Sequence, residues 1–202
     1  MDIEINKNND NYLIIIRENG EILYQALFRN CEIRFQSNKN FISKKVKDKE
    51  FMYCSWIIPN IGTLRINSDN DVFFNQTEDK LDSISFKIEN CLLIENINSQ
   101  YISIKSKETY ILSTLIAEHV EMDGKVINRG VIQVNSMICK EDLINTSVVL
   151  INNIGQIKNM NNNNSVIKAS QLNCVSFENN KKCKIKIDSL NFDEIIYIHP
   201  IY

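Results

Sequence analysis

Few residues in this chain could do chemistry, and His119 is the first to weigh. It lies in Glu118-His119-Val120-Glu121-Met122-Asp123, where one imidazole and three carboxylates stand close together. Such a run could ligate a metal or supply a general base, but the local sequence offers none of the further ligands a closed site needs. It therefore reads as surface charge beside a satisfied histidine. The second histidine, His199, precedes Pro200 and reads as exposed. Cys139 could pair with His119 as nucleophile and base, since such partners need be adjacent only in space. Ser68-Asp69-Asn70-Asp71 offers oxygen ligands of the calcium-binding kind, yet lacks the glycine and closing glutamate of an EF-hand loop, and reads as a turn. There is no glycine-rich dinucleotide or phosphate loop, no G-x-S-x-G elbow and no C-x-x-C pair. The expectation is a non-enzymatic protein with no catalytic residues, no cofactor and no metal.

One motif suggests binding instead. In Lys182-Cys183-Lys184-Ile185-Lys186-Ile187, strand alternation puts Lys182, Lys184 and Lys186 on one face and the apolar residues on the other. The three lysines read either as a basic stripe for an acidic partner or as charges that protect an edge strand from aggregation. The Lys-rich stretch 37–50 also carries Asp48 and Glu50 and reads as a solvated loop. The formal net charge is -2, which gives no field for general binding to nucleic acid or to a membrane surface. The six cysteines (Cys31, Cys54, Cys91, Cys139, Cys174 and Cys183) are irregularly spaced, and four of them sit in or beside apolar alternation. They read as reduced, buried thiols of a cytoplasmic protein. No apolar run is long enough to span a bilayer, and the first residues do not resemble a secretory signal. The sequons at Asn75, Asn145 and Asn163 are what an Asn- and Ser-rich chain produces by chance.

The elements that must position these residues are strands. Ile, Val, Phe and Tyr suit a half-buried pleated surface, and Asn, roughly one residue in seven, suits the turns between. Tyr12 to Arg17, a turn at Asn19-Gly20 and Glu21 to Phe28 predict a hairpin. Further strands are expected at Cys31 to Phe35, around Trp56, at Thr63 to Asn67 and at Val72 to Asn75. From Ser83 the alternation persists, and after Met122 short strands recur every eight to twelve residues, the spacing of a sandwich, a barrel or a solenoid. Thr109 to Val120 is ambiguous, because its apolar residues also fall at helical spacing, and a short helix or an irregular rung is expected there.

Three of the five glycines share the pattern Asn-x-Gly-x-Ile/Leu: Asn60 to Leu64, Asn128 to Ile132 and Asn153 to Ile157. Asn128, Gly130, Asn153 and Gly155 read as turn residues, each pair leading into the first inward position of a strand. The last two copies stand twenty-five residues apart, which predicts one coil of that length in a parallel β-helix, where each coil buries its inward residues against the next. The Asn-x-Gly-x-Ile repeat resembles those of filamentous-haemagglutinin-type β-helices. A short solenoid of this kind is also similar to the bactofilins, bacterial polymer-forming proteins, and that resemblance implies self-assembly. The expectation is an all-β protein: N-terminal antiparallel hairpins over 1–80, then a short parallel β-solenoid over 81–202, with an antiparallel β-sandwich as the alternative. The expected function is binding of another protein, as an immunity, adaptor or inhibitor protein. The alternatives are a self-assembling β-helical scaffold, whose partner is itself, and a small carbohydrate-active or Cys-dependent enzyme.

Overall fold

The computed structural model describes residues 2–8, 11–18, 20–29, 34–36, 40–42, 63–68, 71–76, 80–179 and 182–197. Of the expected strand Cys31 to Phe35 only Arg34 and Phe35 are among these residues, and the stretch around Trp56, most of the Lys-rich stretch and His199 lie outside them. The chain is nearly all β, and its main body is a parallel solenoid of about seven turns. Its strands are β1 (Asp2–Asn8), β2 (Asn11–Glu18), β3 (Glu21–Arg29), β4 (Arg34–Gln36), β5 (Asn40–Ile42), β6 (Thr63–Ser68) and β7 (Val72–Phe74). The long β8 (Leu81–Asn128), then β9 (Val131–Asn145), β10 (Val148–Asn162), β11 (Val166–Asn179) and β12 (Lys184–Tyr197) complete the series. From β8 to β12 each strand lies parallel to the next, and β6 and β7 lie parallel to β8. β1 lies parallel to β6 and antiparallel to β2, which pairs antiparallel with β3. Among the described residues no helix is long and apolar enough to cross a membrane.

From Thr114 onward a coil is seventeen or eighteen residues long, not twenty-five, and in the first coils, where Thr63 pairs with Ser83 and Val72 with Leu92, the separation is 20. Asn128 meets Asn145 at a separation of 17, and Thr146 meets Asn128 at 18. The two residues of the expected repeat therefore never stack. Asn128 and Gly130 do stand at a coil corner, where Gly130 brings two backbones together: a Cβ there would lie 2.0 Å from the Ser113 carbonyl oxygen. Asn153 and Gly155 lie inside β10 instead. Asn153 falls in the register irregularity between Ile151 and Ile154, and Gly155 is an inward residue stacked between Met137 and Leu172. Thr109 to Val120 is continuous strand within β8 rather than helix.

The core follows from alternation and stacking. In one coil Leu115 and Ala117, Val120 and Met122, and Val126 and Asn128 point inward. Their register partners one coil on are Ile132 and Val134, Met137 and Cys139, and Leu143 and Asn145. Each apolar column is thus buried by its neighbours above and below, the arrangement that makes one coil depend on the next. The last column is polar. Asn128 Nδ2 donates to Asn145 Oδ1 at 2.9 Å and to the Val148 carbonyl at 2.9 Å, while Asn128 Oδ1 accepts from the Gly130 N–H at 3.1 Å. Asn145 repeats this with Asn162, with the Val166 carbonyl and with the Ser147 N–H. The ladder is unmade at its last step: Asn162 Nδ2 and Asn179 Oδ1 are buried without partners among the described residues, although the two residues are in register.

Removing a rung of this ladder strands a buried donor and acceptor, so Asn145→Ala is expected to lower stability by about 1–3 kcal/mol in urea unfolding. Gly130→Ala, which forces a Cβ against backbone, should cost a similar ~1–3 kcal/mol, and an unchanged midpoint in either variant would contradict the packing described.

Candidate functional site

Each coil presents three outward faces. The first bears alternate residues of the segments that begin at Thr114, Val131, Val148, Val166 and Lys184, all in one parallel register. Two columns run along it. Thr114, Val131, Val148, Val166 and Lys184 form one, and Ile116, Gln133, Leu150, Lys168 and Lys186 form the other. β-Branched residues favour this flat pleated surface, which explains how valine can recur on an outer face. Ile116 and Val166 are exposed, and Val131, Val148 and Leu150 are half-buried. The strip therefore passes from apolar at its middle to cationic at its C-terminal end.

Elsewhere five lysines of the solenoid pair with carboxylates of other coils. Lys80 pairs with Glu118 at 3.3 Å, Lys105 with Asp123 at 4.0 Å, Lys125 with Glu108 at 3.0 Å and Lys158 with Glu141 at 2.9 Å; Lys140 pairs with Glu121. The hydrogen bond from Lys125, with a second from Tyr110, holds the Glu108 carboxyl below its ordinary value. Bonds to Glu108, Glu121 and Glu141 likewise raise Lys125, Lys140 and Lys158. Among the described residues, Lys87, Lys107, Lys168, Lys182, Lys184 and Lys186 have no carboxylate in ion-pair reach, and of these Lys168, Lys184 and Lys186 stand together. Lys184 and Lys186 lie on the face just described; Lys182 precedes it in a turn. The structure adds Lys168, stacked directly on Lys186 from the coil before.

The residues weighed for catalysis do not converge. His119 is exposed, stacks on Tyr101 with ring centres 5.2 Å apart, and shares a hydrogen bond between Nδ1 and Ser136 Oγ. Its neighbours are engaged too, Glu121 and Asp123 by Lys140 and Lys105 of the adjacent coils and Glu118 by Lys80 from two coils before. Among the described residues no group of three or more His, Cys, Asp or Glu is placed to hold a metal ion. Cys139 points inward, and burial pushes its thiol up to about 12; the same cause acts on Cys174, also to about 12. Neither is a thiolate near neutral pH, and Cys139 lies on the opposite side of the sheet from His119. Cys91 and Cys183, expected among the apolar residues, are only half-buried. The Asp71 carboxylate accepts a hydrogen bond from the Cys91 N–H at 3.1 Å, a structural role for the residue once weighed for calcium.

On the second outward face a groove of about 440 Å³ runs across the coils between Ile138, Gln156, Asn173 and Asn191 on one side and Lys158 and Val175 on the other. Its polar groups are amides, with Asn191 Nδ2 donating to Asn173 Oδ1 at 2.9 Å, and its lysine is the one held by Glu141.

Sequence reasoning found Lys184 and Lys186 but missed Lys168 and the valine column. The available signal was the spacing itself, since Val131, Val148, Val166 and Lys184 recur at seventeen and eighteen residues. No protein-family model, curated protein or solved structure matches the chain.

Thiol labelling checks the burial pattern. Alkylation of the folded protein at pH 8, mapped by mass spectrometry, should modify Cys91 and Cys183 well before Cys139 and Cys174. Equal rates for all four would contradict the inward placement of the latter two.

Proposed function

We propose that this is a non-enzymatic, cytoplasmic protein-binding solenoid, with the N-terminal antiparallel hairpins closing one end of the stack. Its binding determinant is the strip from Thr114 to Lys186. One observation carries the reading: Lys168, Lys184 and Lys186 are gathered without ion-pair partners among the described residues, beside an apolar column half-buried at Val131 and Val148 and exposed at Val166. An uncompensated charge cluster next to apolar surface is a chemistry that a partner protein can complete, by opposite charge at the rim and apolar contact at the centre. A single strip with three lysines, in a chain of net charge -2, does not favour nucleic acid or membrane as the partner. The protein-binding reading also agrees with Cys139 being inward and protonated and with His119 being occupied by Tyr101 and Ser136.

Comparative capture from cell extract, with chemical cross-linking, tests this. The wild-type protein and the control Lys140→Gln/Lys158→Gln should retain a common stoichiometric partner that Lys168→Glu/Lys184→Glu/Lys186→Glu loses. A partner indifferent to the triple substitution, or a solution mass that climbs with concentration and no partner, would overturn the reading.

A further inference from the structure

We infer that the occupant of this face is an amphipathic α-helix of the partner protein. The helix lies along the solenoid axis, its apolar stripe over Val131, Val148 and Val166 and its acidic side chains over Lys168, Lys184 and Lys186. The inference rests on the protein-binding reading and names what that reading leaves open.

Geometry selects a helix over a strand. In the middle of the stack, every strand already gives both of its edges to neighbouring coils, so no backbone hydrogen bonds remain there for an added strand. Only side chains are offered, on the outer surface of a parallel sheet. The inner face is covered by the core, while this outer strip carries Ile116 and Val166 at 37% and 36% exposure.

The two periods also agree. Successive coils are about 4.8 Å apart, and one helical turn rises about 5.4 Å. A helix laid along the axis therefore drops roughly one turn of side chains over each coil, drifting by about 0.6 Å per coil and about 2.4 Å, half a coil spacing, across the five segments. From Thr114 to Lys184 the strip crosses five stacked segments, about 19 Å between the outermost. About 13 helical residues cover that length.

The charge pattern fixes the polarity of the contact along this axis. Lys168 and Lys186 stack in register, and Lys184 stands on the same strand two residues from Lys186. Like charges so placed repel, and a carboxylate arriving over them relieves that repulsion without breaking an existing ion pair. At the other end of the strip Thr114, Ile116 and Gln133 carry no charge, so acidic residues gain there only the cost of desolvation. The complementary helix is apolar along one stripe and acidic at one end only. A nucleic-acid strand would need cations along its whole path and faces for base stacking, and this strip has cations at one end and no aromatic residue in either column.

The test uses the full chain and three fluorescent peptides of about 18 residues, long enough to cover the strip with a turn to spare. The first has leucines at helical spacing and three glutamates at one end. The second has the same composition with the leucine spacing scrambled. The third carries lysine in place of each glutamate. Anisotropy at low ionic strength should show the first peptide binding at least about tenfold tighter than either control, with a comparable loss in Lys168→Glu/Lys184→Glu/Lys186→Glu. The three lysines are exposed, so the variant should keep the wild-type circular dichroism spectrum and melting curve. Failure of the wild type to discriminate the peptides, or equal binding by the triple variant, would overturn the helix. If the capture experiment still yields a lysine-dependent protein partner, protein binding stands and only the helix falls. Lysine-dependent sedimentation with phosphatidylserine vesicles, without peptide discrimination, would assign the strip to a lipid surface and remove both.

Discussion

Everything in this protein depends on a single constraint: a β coil of seventeen or eighteen residues cannot bury its own inward side chains and must have another coil on each side. The backbone bonds and the apolar columns satisfy that requirement together, because the parallel register that forms the hydrogen bonds also places Leu115 under Ile132 and Met122 under Cys139. The asparagine ladder makes the register specific. A shift by one residue would bring Asn128 or Asn145 to the outer face and an unmatched neighbour to the inner one, because successive side chains in a strand point to opposite sides. Buried amides that bond both to each other and to the corner backbone therefore penalise every other stacking.

The same constraint writes the surface. Residues one coil apart become neighbours, so a carboxylate seventeen or eighteen places from a lysine is an ion-pair partner. That is how Glu108 finds Lys125 and Glu141 finds Lys158. Exposed pairs of this kind contribute little stability individually. They neutralise part of the surface, and what sets the lysines beside the valine column apart is that three without such partners stand together. Alternation also explains why the dispersed catalytic candidates fail to meet. His119 and Cys139 occupy strands of adjacent coils, but one projects outward and the other inward.

The fold class was legible because strand period is a local property. The alternation from Ser83 onward, the scarcity of glycine and proline, and the recurrence of short strands all belong to single segments. The coil length was not, because the glycines drew attention to the wrong repeat. Corners take Gly130 in one coil and Ser147 in the next, so the recurring mark is the inward Asn128, Asn145, Asn162 and Asn179, and the match at Asn153-Ile154-Gly155 comes from a register irregularity. Thr109 to Val120 looked helical because alternation breaks where the chain turns a corner: Ile111 takes the asparagine position, Leu112 is half-buried, and Leu115 resumes the inward set. Lys168 could not be found from its own segment, since nothing local says which residue will stack on it; once the coil length is known, it falls eighteen residues before Lys186.

The coil length is thus the claim on which core, ladder and binding strip all stand, and a pair of engineered cysteines measures it directly. Val131→Cys with Val148→Cys places two thiols on register partners of adjacent strands, at about 4.8 Å between Cα atoms, within the range a disulfide spans. Val131→Cys with Gln156→Cys, separated by the twenty-five residues of the glycine repeat, places them on different faces. Mild oxidation followed by digestion and mass spectrometry should show the intramolecular disulfide in the first variant and not in the second. A disulfide in the second alone would contradict the seventeen-residue coil and everything built on it.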